Sequence, residues 1–159
     1  VMEQLQILSL EIQRMPKNPQ YEFGHLWEYP LRSVCTISTH DMATLRGWWE
    51  EDPALTARYY NQVLGQWGEV PAIAPGWACE EIVRQHLQSP SLLCILAFQD
   101  WLSMDEELRY PDANAERINV PANPRHYWRY RMHLTLEELM KKKAFNAKMI
   151  EMIDETGRY

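Results

Sequence analysis

Between Val34 and Trp49 the sequence changes its period, and that change limits the fold more than any other feature of the chain. Val34, Cys35, Thr36 and Ile37 form an unbroken run of β-branched and apolar residues. Such a run suits a strand buried on both faces better than one wet on alternate residues. Ser38, Thr39, His40 and Asp41 stop it, and Leu45, Trp48 and Trp49 then follow on one side at helical spacing. The polar cluster therefore sits on the turn between the carboxyl end of a strand and the amino end of a helix, where α/β folds collect their function. Asp41 also has a purely structural use at such a place, as a helix N-cap whose carboxylate accepts from the next turn's amides. Spacing alone favours that use, with His40 as a hydrogen-bonded loop histidine.

The rest of the chain repeats the pattern. Met2 to Ile12 carries a dense apolar set, Leu5, Ile7, Leu8, Leu10 and Ile12, and ends as a strand at Glu11, Gln13 and Arg14, with a short helix before it. Pro16 and Pro19 forbid regular structure, and Tyr21 to Pro30 is a long aromatic loop of the kind that is functional or mobile. Asp52-Pro53 predicts an N-cap and first helical residue, opening a helix to about Leu64 that Gly65 and Gly68 end. A further helix is predicted over roughly Trp77 to Leu87, stopped by Ser89-Pro90. Leu92 to Phe98 reads as another fully buried strand, ending at Gln99 and Asp100, and a helical turn is expected around Met104 to Leu108. His126 to Met132 alternates aromatic and cationic residues, which fits a strand, a stacking ribbon or arginines lying over an apolar surface. Thr135 to Glu138 is a capping box opening an amphipathic helix to about Asp154. Leu136, Leu139, Met140, Met149, Ile150 and Ile153 form its inward stripe, and Lys141 to Lys143 its solvated face.

Composition excludes several classes. A net charge of −6 disfavours a grip on phosphate backbones, so nucleic acid is not an expected partner. The longest apolar run, Leu92 to Phe98, is too short to span a bilayer, and no membrane association is expected. Three scattered cysteines, Cys35, Cys79 and Cys94, read as small buried hydrophobes of a reducing, cytoplasmic compartment. His25, His86, His126 and His133 stand at no metal-ligand spacing, so no metal or cofactor is expected and a phosphohydrolase built on His40 and Asp41 lacks its ligands. Seven Trp and eight Tyr are an excess for 159 residues, serving either core filling or stacking on flat ligand faces. Val1 falls inside what reads as an amphipathic segment, so the chain reads as cut at its amino terminus.

Successive strands that each end in polar residues and lead into helices or long loops are what β/α units of a parallel sheet look like. A complete eight-fold barrel needs roughly 250 residues, so this chain holds a part of one. The words at the central turn are more specific. Ser-Thr-His-Asp-Met followed by Thr-Leu-Arg-Gly-Trp-Trp, at 38–49, closely resembles the 4-alpha-glucanotransferases (amylomaltases or disproportionating enzymes), particularly their longer plant-type and Bacteroidetes-type branch. The likeness recurs at Arg14 to Pro19, at Phe98 to Asp100, and from Glu116 to Pro121 and His126 to Arg131, covering essentially the whole chain.

The resemblance implies an α/β, helix-rich fold in which residues 1–159 form one domain, the carboxy-terminal fragment of a (β/α)8 TIM-type barrel, the catalytic domain of a glucanotransferase. It implies retaining transfer of α-1,4-glucan segments, which needs two carboxyl groups about 5–5.5 Å apart, one nucleophilic and one acting as acid then base. Neither motif is present, so the isolated chain is expected to be inactive. A non-catalytic glucan-binding fragment is the alternative. What the resemblance does carry over is the third acidic residue, Asp41, as transition-state stabiliser, with His40 contacting sugar hydroxyls. Gln99, Asp100, Arg117 and Asn119 are expected around them as subsite contacts or as supports of the rim, and Trp128 as core or sugar platform. Trp48 and Trp49 are expected in the core. Expected partners are α-1,4-glucans and maltooligosaccharides, and the open sheet edges of a partial barrel predict self-association.

Overall fold

The computed structural model describes residues 4–158; Val1, Met2, Glu3 and Tyr159 lie outside them. Three parallel strands form one sheet in the order β1 (Ser9–Ile12), β2 (Ser33–Thr36), β3 (Leu93–Cys94). Leu10 pairs with Val34, which pairs with Leu93, and Glu11 pairs with Cys35, which pairs with Cys94. Side chains alternate across a strand. Cys35 and Cys94 accordingly pack with Leu26 and Tyr29 on one face. The other face is open, with Leu10 and Leu93 exposed.

Parallel neighbours cannot be joined by a tight turn. The crossover from β1 to β2 is the aromatic connector, residues 13–32, whose one helical feature is a 3-10 turn at Leu26–Glu28. The crossover from β2 to β3 carries α1 (Leu45–Glu51), α2 (Pro53–Gln62) and α3 (Gly76–Leu87). Asp52 caps α2 by accepting from the amides of Ala54 and Leu55, as expected. Gly65 and Gly68 then adopt φ of +63° and +107°, which side chains disfavour, and turn the chain away. Leu45, Trp49, Tyr59, Ile82 and Val83 form the centre of the core, and Leu102, Phe145 and Met152 complete it from later elements.

Several expectations fail for definable reasons. Leu92 to Phe98 is not a fully buried strand. Pairing lasts two residues, Leu92 and Ile95 are exposed, and Phe98 begins a short helix, α4 (Phe98–Leu102), that carries Gln99 and Asp100. A short apolar run does not by itself separate strand from helix. No helix precedes β1 among the described residues; Gln4 to Gln6 form a turn in which Gln6 has a φ of +55°. The turn expected around Met104 to Leu108 is present, the Leu108 and Arg109 amides both donating to the Asp105 carbonyl, whereas His126 to Met132 is irregular and forms no strand.

The carboxy-terminal helix is two helices, α5 (Leu136–Lys141) and α6 (Lys143–Glu155), hinged at Lys142 with ψ +65°. The capping box is present at Thr135 and Glu138. Asn146 Nδ2 donates to the Leu139 carbonyl across the hinge at 2.9 Å. Of the expected stripe Leu139 and Met149 pack against the core, Leu136, Met140 and Ile150 face out, and after the break Phe145 and Met152 are the residues of α6 that are buried.

Candidate functional site

The turn after β2 is held from both sides. Its own residues close it, Thr36 Oγ1 donating to the Ser38 carbonyl at 2.8 Å and the Met42 amide donating to the Thr39 carbonyl at 3.3 Å. Arg14, on the connector just after β1, donates through Nη2 to the carbonyls of Ile37 at 2.8 Å and Ala43 at 3.1 Å. One guanidinium thus clasps both ends of the segment that bears His40 and Asp41, and it lies 5.0 Å over the Trp48 ring. Burial lowers the Arg14 pKa, and the nearby Asp100 opposes that.

Helix α1 is capped by Thr44, whose hydroxyl accepts from the Gly47 amide. The structural use weighed for Asp41 is therefore taken by another residue. The Asp41 carboxylate is instead half-exposed, with Oδ1 accepting from Asn119 Nδ2 at 2.7 Å and Oδ2 lying 3.0 Å from His40 Nε2. The His40 ring sits 5.0 Å from that of Trp128, tilted by 40°. Trp128 is exposed. Beside this group a cleft of about 290 Å³ is lined by Thr36, Thr39, His40, Met42, Gln99 and Ile118.

Of the residues singled out in the sequence, His40, Asp41, Asn119 and Trp128 come together. Arg117 stands one step back, its Nε donating to the Asn119 carbonyl at 3.3 Å. Gln99 borders the cleft, and its Nε2 is engaged with the Glu116 carbonyl at 3.2 Å. Of the two roles expected for Asp100, its position rules out the subsite contact and fits the support of the rim. It is wholly buried, accepting from the Ser38 hydroxyl and, at 2.8 Å, from the Leu45 amide, so its carboxylate fixes the start of α1 and faces no solvent. Burial raises its pKa, while the Leu45 amide, Ser38 and Arg14 pull it down. Trp48 and Trp49 belong to the core, as their spacing predicts.

The sequence reading missed the ion pair behind the rim. Arg46 Nη1 donates to Glu116 Oε1 at 2.6 Å and to the Tyr110 carbonyl at 2.6 Å, and Thr44 Oγ1 donates to Glu116 Oε2 at 3.1 Å. The two side chains are 3% and 2% exposed, deep enough that their mutual contact decides whether either charge is tolerated. Burial raises the Glu116 pKa, opposed first by the Arg46 charge. The available signal was an arginine between Leu45 and Trp49 on the helix face that goes inward.

A sequence profile of the 4-alpha-glucanotransferase family matches residues 1–136. The chain belongs to that family. It is 40% identical over 158 residues to 4-alpha-glucanotransferase DPE2 of Oryza sativa subsp. japonica, covering 99% of this chain and 17% of the rice protein. It is 31% identical over 151 residues to a 4-alpha-glucanotransferase of Chlamydia caviae, covering 93% of this chain and 28% of that protein. Among solved structures, an amylomaltase from Streptococcus agalactiae in complex with acarbose superposes with a TM-score of 0.70 at 18% identity, over 99% of this chain and 28% of the amylomaltase. This member of the 4-alpha-glucanotransferase family therefore spans between about a sixth and just over a quarter of the length of these relatives, and shares the fold of the matching part of an amylomaltase. Among the described residues no helix is long and apolar enough to cross a membrane.

Proposed function

We propose that residues 1–159 form the carboxy-terminal part of a (β/α)8 catalytic barrel that transfers α-1,4-glucan segments to a glucose or glucan acceptor with retention. The observation that carries this is the Asp41 carboxylate, presented at the carboxyl end of a parallel strand and aligned by Asn119 and His40 instead of being consumed as a helix cap. As the glycosidic bond breaks, positive charge grows on the sugar ring and its hydroxyls become better donors. A fixed carboxylate that accepts from them gains strength in the transition state over the ground state. His40 contacts the same sugar, Trp128 offers it an apolar face, and Asn119 with Arg117 behind it holds the carboxylate's orientation. The nucleophile and the acid/base are supplied by other segments of the full-length protein. The acarbose complex of the amylomaltase supports an oligosaccharide ligand. The unpaired thiols of Cys35, Cys79 and Cys94 fit a cytoplasmic enzyme.

Incubation with maltotriose tests the reading. The full-length protein is expected to yield glucose and maltopentaose, and the 159-residue chain alone neither. Absence of transfer by the full-length protein overturns the enzyme reading, and turnover by the chain alone overturns the assignment of the missing groups.

Within a complete barrel the open sheet face and the outer edges of β1 and β3 would be covered. In the chain alone Ile7, Leu10, Leu93 and Ile95 are exposed there. Unpaired strand edges with apolar neighbours seek other chains, so sedimentation velocity of the isolated chain is expected to show concentration-dependent association. A sharp monomer with a cooperative melt counts against it.

A further inference from the structure

A groove of about 690 Å³ lies between the aromatic connector and helices α2 and α3, and it shares no lining residue with the Asp41 cleft. We propose that this groove is a second binding site for a neutral oligosaccharide, an α-glucan chain, with Trp27 as its platform; the identity of the glucan rests on the function proposed above. The volume falls in the range of sites that enclose small ligands.

The platform is a short stack of rings. Tyr21 and His25 have ring centres 4.2 Å apart, and His25 lies 4.8 Å from Trp27 with the planes inclined by 11°. His25 covers one face of the indole, yet Trp27 remains 74% exposed, so its other face is presented to solvent. The stack is pinned from below. Phe23 and Leu26, on either side of His25, are buried, and the Gly24 amide donates to the Gln13 carbonyl at 2.7 Å. Ordering an exposed tryptophan in advance spares that cost on binding.

The walls select the ligand class. Gln20, Gln62, Gln85 and Gln88 offer amides that both donate and accept, which suits ring hydroxyls. Among the described residues no lysine or arginine lines the groove, so phosphate and carboxylate ligands find no lysine or arginine counter-charge there. Glu22 and Glu81 do line it; Arg58 Nε donates to Glu22 at 2.7 Å and balances its charge, while Glu81 accepts from Gln85 Nε2 at 2.9 Å and keeps its own, one carboxylate among four neutral amides. A flat apolar face ringed by neutral amides matches the alternating C–H and hydroxyl surface of a pyranose. A second handhold raises the effective concentration of a long glucan at the first.

The test uses the full-length protein labelled with 5-fluorotryptophan, in the Asp41→Asn variant so that maltoheptaose is not consumed. Trp27→Phe identifies the Trp27 fluorine signal. Maltoheptaose is expected to shift that signal saturably, Trp27→Ala to weaken the maltoheptaose binding measured by titration calorimetry at this site by about five- to tenfold, and the same change in the protein with Asp41 intact to leave maltotriose transfer unaltered. A Trp27 signal that ignores maltoheptaose, one that shows no H2O/D2O solvent shift because another segment covers the ring, or one moved by a lysine-rich peptide in place of the sugar overturns the proposal. Transfer with a silent Trp27 removes this site alone, whereas a responsive Trp27 without transfer removes the enzyme reading and leaves a sugar site.

Discussion

Asp41→Asn in the full-length protein is expected to lower kcat for maltotriose transfer by about 10²- to 10³-fold, with little change in KM and none in melting temperature. The magnitude is that of removing one preorganised group aimed at developing charge. Asparagine keeps the size, and its carbonyl oxygen can still accept from Asn119 Nδ2, which now reaches Asp41 Oδ1 at 2.7 Å. What disappears is the negative charge, and with it the part of the interaction that grows as the ring becomes cationic. Ground-state binding depends on hydroxyl contacts that an amide largely retains, so the loss falls on kcat. Stability is spared because the side chain is half-exposed and caps no helix. Near-normal rates would remove Asp41 from the chemistry, and a lowered melting temperature would assign it to the fold.

Legibility in the sequence followed the range of the forces involved. The Asp52 cap and the capping box at Thr135 and Glu138 were readable because donor and acceptor are a few residues apart and the chemistry is local. The strand and turn around Val34 to Asp41 were readable for the same reason, since a change of period is visible along the chain. Failures came where distant segments decide. The extent of β3 depends on how much of β2 remains to pair with it, and the exposure of Leu93 and Ile95 on what else covers the sheet. For Asp100 the sequence left subsite contact and support of the rim both open, since it shows only a polar residue after an apolar run. Its engagement by Ser38 and the Leu45 amide joins segments more than fifty residues apart. Arg14 belongs to a stretch that carried the family resemblance, yet its grip on Ile37 and Ala43 could not be read from spacing.

The largest effect on stability is expected at Arg46 and Glu116. Either Arg46→Ala or Glu116→Ala strands a buried charge without its counter-ion, at a cost of about 3–5 kcal/mol. That is a large share of the ~5–15 kcal/mol by which a domain of this size is stable. Replacing both together, Arg46→Met with Glu116→Leu, removes the two charges at once and is expected to cost far less, so a double-mutant cycle in urea should show strong coupling. The pair also reaches the site. Glu116 holds Thr44, the cap of α1, and its own carbonyl holds Gln99, while three residues on Asn119 orients Asp41. Single replacements should therefore depress transfer in the fraction that still folds, as Asn119 loses its anchorage and the Asp41 carboxylate its direction. The double replacement restores packing but not the link from Thr44 to Glu116, so it should recover stability more fully than transfer. Single changes that cost less than about 1 kcal/mol would place this ion pair among those that contribute nothing measurable, and the rim would then be held by Arg14 and Asp100 without it.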